Sequence, residues 1–296
     1  MRARGRLLSC LVSIVIALAG FVTAGALPAA ATPGIVPYVA LGDSYAAGQG
    51  ALPYDLDEAC KRSSKGYPAL LNLESRIQLQ ANPTCSGAKT SDVFSYVVDP
   101  QRSALNSDTR LVTLTVGAAN LGLSAVAAAC IGGTLQDCKA AIEPAQRELG
   151  DCPGGESTLG GRLIVLYDTV AENAPRARIV VTGYPLLFEQ PTDPPADPVL
   201  AAKITAINEA TAELNCVIER AVATANDADL NIHYVDVTEE FTGHGIGGTP
   251  PLFINAPSVP LSAEAFHPTA AGYQAYADAI SAALPGGWLD KPPRSA

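Results

Sequence analysis

The chain has 296 residues, a formal net charge of −10 at pH 7 and apolar side chains at 48% of its positions. That apolar fraction is enough to bury a sizeable core, and charged residues at only 16% exclude a disordered chain. An acidic surface repels phosphate backbones, so we expect no nucleic acid among its partners. The length allows one large α/β domain or two small ones.

The first residues of the chain have the pattern of an export signal. Three arginines within the first six positions precede an apolar stretch at 7–27, and small residues follow it as far as Ala31. This order predicts a secretory signal peptide over 1–31, with 32–296 left as a single domain outside the cell. An uncleaved membrane anchor is the alternative, because the apolar stretch is long enough to cross a bilayer.

Cysteine usage agrees with an exported chain. Seven cysteines occur, and removal of Cys10 with the signal peptide leaves six, an even number that predicts disulfides. The sequence leaves the pairing open, and the simplest pairing is sequential: Cys60–Cys85, Cys130–Cys138 and Cys152–Cys216. No C-x-x-C pair is present and only three histidines occur, so we do not expect these cysteines to bind a metal. No other cofactor is expected either.

Short apolar segments alternate with helical patterns along the chain. Strands are predicted at five segments: 35–41, 77–80, 111–116, 177–182 and 232–237. Apolar residues at spacings of three and four predict helices around 204–218 and 273–284, the second beginning at Pro268. This alternation predicts an α/β fold, a three-layer α/β/α sandwich around a mainly parallel five-stranded sheet.

A candidate nucleophile lies just past the end of the first predicted strand, where open parallel sheets bind ligands. Ser44 follows Gly42 and Asp43 there, and 118–120 follow the strand at 111–116. A nucleophilic serine needs a nearby base and donors for an oxyanion. The alternative for Ser44 is a helix-capping serine. We expect Asp43 to orient the loop by hydrogen bonds.

His267 is the candidate base. A neutral imidazole can accept a serine proton near neutral pH, and Glu264, three residues earlier, would hold the other ring nitrogen. The alternative is a surface histidine near a helix start. His244, in a glycine-rich loop, is a candidate for the wall of a pocket, with a structural hydrogen bond as the alternative, and His233 is expected to be structural.

Four segments occur in a fixed order along the chain: VALGDSYAAGQG (39–50), CSGAKTSDV (85–93), LVTLTVGAANLGL (111–123) and EAFHPTAAG (264–272). They resemble the conserved blocks of the SGNH/GDSL hydrolase family. RSSKGYP (62–68), FTGHGIGG (241–248) and the spacings of the first two cysteine pairs are similar to its secreted actinobacterial esterase and lipase branch. The resemblance covers nearly all of the chain after the signal peptide, and it implies a flavodoxin-like sandwich.

The resemblance also implies roles for particular residues. Ser44 falls at the nucleophile position and His267 at the base position, and the backbone N–H groups of Ser44 and Gly87 fall in the oxyanion hole. The third block usually reads Gly-Gly-Asn-Asp, with the Asn side chain as a further donor. A one-residue shift would make Asn120 that donor, whereas alignment without a gap places Ala119 there.

Position 264 is a second departure from the family pattern. Glu264 stands where the family more often has aspartate, and in some members a backbone carbonyl holds the imidazole instead. We take Glu264 as the third catalytic residue, with the backbone carbonyl as the alternative.

The function implied is that of a secreted, monomeric carboxylic ester hydrolase working through a serine acyl-enzyme. Its substrates would be small-molecule or lipid esters, with transient contact to a lipid or cell-wall surface. An extracellular acyltransferase and a catalytically degenerate binding protein are the alternatives. A degenerate protein would hold Ser44 and His267 well beyond hydrogen-bond distance. The sequence does not name the acyl chain or the alcohol.

Overall fold

A computed structural model of the chain describes residues 34–74 and 76–286. The segment predicted to be a signal peptide lies outside the described residues. No helix within the described part combines the length and the apolar character that crossing a bilayer requires.

Five strands form one sheet: β1 (Val36–Gly42), β2 (Ile77–Ala81), β3 (Leu111–Thr115), β4 (Arg178–Thr182) and β5 (Ile232–Val235). All neighbouring pairs are parallel, and their order across the sheet is β2-β1-β3-β4-β5. This order is the flavodoxin-like one, whose switch point lies between β1 and β3. The predicted fold class is confirmed, and each predicted strand is present with ends that differ by one or two residues.

The central strands are buried on both faces. Every residue of β3 is buried, as are all residues of β1 except Pro37. Because successive side chains of a strand point to opposite faces, helices or loops must cover both sides of these strands. This is why their sequences are continuous apolar runs rather than alternating ones.

The helices of the described residues are α1 (Ser44–Ala47), α2 (Tyr67–Leu71), α3 (Thr90–Val97), α4 (Ala118–Leu121), α5 (Leu123–Gly132), α6 (Leu135–Leu149), α7 (Thr158–Asn173), α8 (Pro198–Asp227), α9 (Thr238–Phe241) and α10 (Ala270–Ala283). Helices α7 and α8 pack against each other, and α10 packs against α2 and β5. The two helices predicted from periodicity correspond to α8 and α10.

The start of α10 differs from the prediction. The helix begins at Ala270, and the side chain of Thr269 caps it by accepting a hydrogen bond from the N–H of Gly272 at 3.2 Å. Pro268 instead forms an isolated bridge with Ile254. The predicted start at Pro268 is therefore wrong by two positions, because the threonine supplies a side-chain cap that proline cannot.

Three disulfides pair the cysteines in sequential order: Cys60–Cys85, Cys130–Cys138 and Cys152–Cys216. The first of them joins the loop after α1 to the segment that leads into α3. Within that segment the N–H of Ser86 donates to the carbonyl of Cys60 at 3.0 Å. The backbone around Gly87 is thereby fixed to the segment that follows Ser44.

Candidate active site

Ser44 lies at the sheet's switch point because of a sharp turn at the end of β1. Gly42 has a φ of +137°, and a Cβ there would collide with the carbonyl oxygen of Thr115 on β3, so only glycine fits. The N–H of Asp43 donates to that same carbonyl at 2.9 Å. The Asp43 carboxylate then caps α1 by accepting from the N–H of Tyr45 at 3.0 Å. Ser44 is consequently the first residue of α1.

His267 meets Ser44 across the site. Its Nε2 lies 2.9 Å from the Oγ of Ser44, and its Nδ1 lies 3.0 Å from the carbonyl oxygen of Ala265. The carbonyl can only accept, so Nδ1 carries the proton and Nε2 is free to accept from the serine hydroxyl. The imidazole is 4% exposed, and this burial lowers the pKa of His267 to about 4. The ring is therefore neutral at neutral pH.

Glu264 does not hold the imidazole. Its Oε1 accepts a hydrogen bond from the hydroxyl of Tyr54 at 3.0 Å, and Nδ1 of His267 faces Ala265 instead. The expectation that the Glu264 side chain orients the ring is wrong for this structure. The reason is a tight turn, which is closed by a hydrogen bond of 3.1 Å from the N–H of His267 to the carbonyl of Glu264. This turn brings the carbonyl of Ala265 within hydrogen-bond distance of Nδ1.

A cavity lies beside the serine hydroxyl, and two of its lining residues have backbone N–H groups without a partner in the described part of the chain. Ser44 and Gly87 both line this cavity, and neither N–H has an acceptor within the described residues. Gly87 has a φ of +81°, a conformation that favours glycine. Backbone N–H groups without a partner are the kind of donor that an oxyanion hole uses.

Asn120 does not line the cavity. Its Oδ1 accepts from the N–H of Thr90 at 3.0 Å, and its Nδ2 donates to the Thr90 hydroxyl at 3.0 Å. Ala119 is the neighbour that lines the cavity together with Ser44. The expectation of Asn120 as an oxyanion donor is therefore wrong. Its amide instead pairs with the first residue of α3, whose N–H has no partner inside the helix.

Asp43 connects the two loops of the switch point. It is fully buried, and its Oδ2 accepts from the hydroxyl of Tyr184 at 2.7 Å. That hydroxyl in turn accepts from the N–H of Ala118 at 3.2 Å. Burial raises the pKa of Asp43 to about 7, although the Tyr184 hydrogen bond acts in the opposite direction. The role expected for Asp43, orienting the loop by hydrogen bonds, agrees with these contacts.

Comparison with known proteins identifies the family. The profile of the GDSL-like Lipase/Acylhydrolase family matches residues 40–275, a span that contains both Ser44 and His267. The chain belongs to this family. The predicted resemblance is confirmed, and with it the class of enzyme, a serine hydrolase that acts on ester bonds.

Streptomyces proteins are similar to this hydrolase over most of its length. Lipase 1 of Streptomyces coelicolor is 34% identical over 271 residues, which cover 91% of this chain and 94% of that one. The solved structure of phospholipase A1 from Streptomyces albidoflavus is 33% identical, with a TM-score of 0.73 over 85% of this chain and 100% of that one. An extracellular lipase from Streptomyces rimosus has a TM-score of 0.72 at 30% identity, over 84% of this chain and 100% of that one.

The cavity of the hydrolase has a volume of about 330 Å³. Beyond the serine and histidine, its wall is mainly apolar or small: Gly122, Leu123, Ala125, Pro185, Leu187 and Phe266, with Ala118 and Ala119. Polar side chains also line it, namely Gln49, Ser86, Ser124 and Thr211 and the tyrosines Tyr45 and Tyr184. A mainly apolar wall with a few polar groups is typical of small-molecule binding sites.

The other two histidines lie outside this cavity. The ring of His244 stacks on Phe253 at 4.3 Å between centroids, and its Nδ1 contacts the carbonyl of Pro251 at 3.0 Å. The hypothesis that His244 forms the pocket wall is wrong, and the alternative of a structural hydrogen bond describes it. His233 lies on β5, where its Nε2 contacts Asn231 at 3.1 Å. Across residues 34–74 and 76–286, no three His, Cys, Asp or Glu side chains cluster as metal ligands would.

Three residues of the site were not found from the sequence. Ala265 contributes only a carbonyl, and Tyr184 comes from the segment after β4, which carries no motif. Tyr45 follows Ser44 directly, but the sequence does not indicate which group its hydroxyl contacts. The position of Tyr45 inside the first block is the signal that could have drawn attention to it.

Proposed function

We propose that this hydrolase is a secreted carboxylic ester hydrolase with Ser44 as nucleophile and His267 as general base. The observation that carries the proposal is the 2.9 Å contact between Ser44 Oγ and His267 Nε2, at the cavity and between residues 223 positions apart. The contact lies within the range expected of a working nucleophile–base pair. It argues against a degenerate binding protein, which would keep the fold and lose this contact.

The proposed reaction begins with proton transfer. As Ser44 Oγ attacks the acyl carbon, its proton passes to Nε2 of His267, and the ring becomes positively charged. The Ala265 carbonyl, which accepts from Nδ1–H, stabilises that charge. The proton then passes to the departing alcohol oxygen. In the second step a water molecule gives a proton to His267 as it attacks the acyl carbon, and His267 returns that proton to Ser44 Oγ as the acid leaves.

The negative charge on the substrate's carbonyl oxygen would be met by backbone groups. The N–H groups of Ser44 and Gly87 have no acceptor in the described chain, and both residues line the same cavity. Ala119 adds no side-chain donor. We therefore propose an oxyanion hole that depends mainly on the backbone, with electrostatic stabilisation weaker than a third donor would give.

The apolar cavity supports a substrate with an aliphatic acyl chain. We propose lipid or small aliphatic esters, a class in keeping with the lipase and phospholipase A1 names of the relatives. We also propose cleavage of a signal peptide at 1–31 and action as an extracellular monomer, a single domain over 32–296 in transient contact with lipid or cell-wall surfaces. The three disulfides suit an oxidising compartment, and the Streptomyces rimosus relative is described as extracellular.

The test is hydrolysis of p-nitrophenyl acetate, butyrate and palmitate by the oxidised protein, with and without added glycerol as a competing acceptor. Ser44→Ala and His267→Ala are each expected to lower kcat by about 10³-fold or more. Ser95→Ala, at an exposed serine of α3, is the matched control and should keep full activity. Hydrolysis by Ser44→Ala within tenfold of wild type would overturn the assignment, and acyl-glycerol as the dominant product would favour an acyltransferase. Mass determination of the exported chain and its elution volume test the cleavage site and the monomer.

A further inference from the structure

The turn that carries His267 contains an unfavourable backbone conformation. The N–H of His267 donates to the carbonyl of Glu264, which closes a four-residue turn, and the third residue of that turn, Phe266, has a φ of +65°. Glycine or asparagine ordinarily supplies a positive φ at this position, because a Cβ is crowded there. A phenylalanine adopts it only when its surroundings hold it.

Two groups of contacts hold Phe266 in this conformation. Its side chain is 2% exposed and packs against Phe188, with ring centroids 6.4 Å apart. On the backbone, its N–H donates to the carbonyl of Asn255 at 2.9 Å, and its carbonyl accepts from the hydroxyl of Tyr45 at 2.6 Å. The peptide group between Phe266 and His267 is thus oriented by the Tyr45 hydroxyl.

Tyr45 is also the residue that follows the nucleophile. Its hydroxyl bond therefore joins the helix of Ser44 directly to the turn of His267, two segments 221 positions apart. The Tyr45 ring lies beside the imidazole, with centroids 5.3 Å apart, and packs edge-on against Tyr184 at 5.1 Å. With its backbone in α1 and its ring packed on both sides, Tyr45 can fix the turn relative to the serine.

We infer that Tyr45 is a positioning residue, whose hydroxyl holds the Phe266 carbonyl and thereby sets the distance between Ser44 Oγ and His267 Nε2. This role rests on the catalytic assignment of Ser44 and His267 proposed above. The hydroxyl exchanges no proton with the substrate. It keeps the Ala265 carbonyl and the imidazole in one rigid turn while the ring gains and loses its charge.

The first test compares two conservative substitutions. Tyr45→Phe removes the hydroxyl and keeps the ring, and we expect kcat for p-nitrophenyl butyrate to fall about tenfold with KM within twofold, because small displacements of a base cost rate. Phosphorylation of Ser44 by diethyl p-nitrophenyl phosphate, which transfers its diethylphosphoryl group and releases p-nitrophenolate, should slow by the same factor. The matched control is Tyr276→Phe, which removes an equally buried hydroxyl that donates to the carbonyl of Gly183 at 2.9 Å. Both substitutions should lower the melting temperature by a few degrees, but Tyr276→Phe should leave kcat within twofold of wild type.

The second test asks whether the hydroxyl acts through the turn. Glycine adopts a positive φ without crowding, so in Phe266→Gly the turn needs less support. We therefore expect Tyr45→Phe to cost a smaller factor in kcat when Phe266→Gly is also present. An equal factor in both backgrounds, a change confined to KM, or a similar kcat loss in Tyr276→Phe would overturn the inference. Ser44→Ala in the same assay separates the catalytic assignment from the role of Tyr45. If Ser44→Ala stays active, both proposals fail. If Ser44→Ala is inactive while Tyr45→Phe is fully active, only the role of Tyr45 fails.

Discussion

The amide of Asn120 and the first residue of α3, Thr90, exchange two hydrogen bonds, one through each polar atom of the amide. This pair fastens the loop after β3 to the segment that carries Gly87. It also leaves Ala119, rather than an amide side chain, in the wall of the cavity that contains Ser44.

Asn120→Ala should therefore act on stability more than on chemistry. It removes both hydrogen bonds and leaves the Thr90 N–H without its partner, at a cost of about 1–3 kcal/mol in the free energy of unfolding. The kcat of the folded enzyme should stay within about tenfold of wild type. Urea unfolding measures the expected loss of stability, and ester hydrolysis by the same preparation measures the expected kcat. A 10²–10³-fold loss of kcat, the cost of a missing oxyanion donor, would instead assign Asn120 to the oxyanion hole.

Ala119→Asn should gain activity. An amide at this position of the cavity wall places a side-chain donor beside the N–H groups of Ser44 and Gly87. We expect kcat for p-nitrophenyl butyrate to rise by about tenfold or more. Ala119→Leu supplies similar bulk without a donor and is expected to be no faster than wild type. If the two variants behave alike, only the volume at position 119 matters.

Glu264→Gln should leave catalysis nearly intact. The carboxylate contacts Tyr54, and the imidazole is held by the carbonyl of Ala265. We expect kcat/KM within about threefold of wild type, since removing a true orienting carboxylate from a catalytic triad costs about 10⁴-fold in kcat. Steady-state kinetics decide the matter, and a loss of several orders of magnitude would restore Glu264 as the orienting group.

The low pKa of His267 predicts the pH dependence of the reaction. A base must be unprotonated to accept the serine proton, and burial lowers its pKa to about 4. The acid limb of kcat/KM should therefore have its midpoint near pH 4 rather than near 6.5. The charge of Lys61 contributes to this lowering, so Lys61→Gln should move the midpoint upward. A midpoint near 6.5 in wild type would mean that solvent reaches the imidazole.

Two buried groups should affect stability in opposite directions over the same pH range. For His267, the folded pKa of about 4 lies below its ordinary value of 6.5, so stability is lost as the pH falls through this window. For Asp43, the folded pKa of about 7 lies above its ordinary value of 3.8, so stability is lost as the pH rises through that window. Relative to wild type, Asp43→Asn should lose stability on acidification from pH 6.5 to 4, and His267→Gln should gain it. Urea midpoints across this range test the signs, and parallel curves for all three proteins would contradict them.

The sequence predicts the sheet and the principal pair of the site because both depend on local signals. A continuous apolar run that ends at Gly42 predicts β1 and the turn into Ser44, and the other predicted strands follow the same rule. By contrast, α5, α6 and α7 were not predicted. Helix α5 is alanine-rich with little contrast between its faces, so it shows no clear period. Helix α6 has distinct apolar and polar faces, but it contains Pro144, a residue that argues against a helix interior.

The wrong site predictions depend on contacts between distant segments. The place of Asn120 in the third block predicts an oxyanion donor, but Thr90, thirty positions away, determines where its amide points. Glu264 has the right side chain at a suitable spacing, yet the turn presents the Ala265 carbonyl to the ring first. The turn's conformation, with a positive φ at Phe266, is one that a phenylalanine does not suggest.

The use of a main-chain carbonyl to orient His267 has a genetic consequence. Every amino acid brings the same carbonyl group, so no codon change at position 265 can delete the acceptor in the way that a substitution deletes a carboxylate. The group that orients the imidazole, the Ala265 carbonyl, depends on the backbone conformation of the turn and not on the identity of a side chain. We therefore expect the reaction to tolerate a change of side chain at position 264, and a search for an acidic residue beside the histidine would pass over an enzyme built in this way.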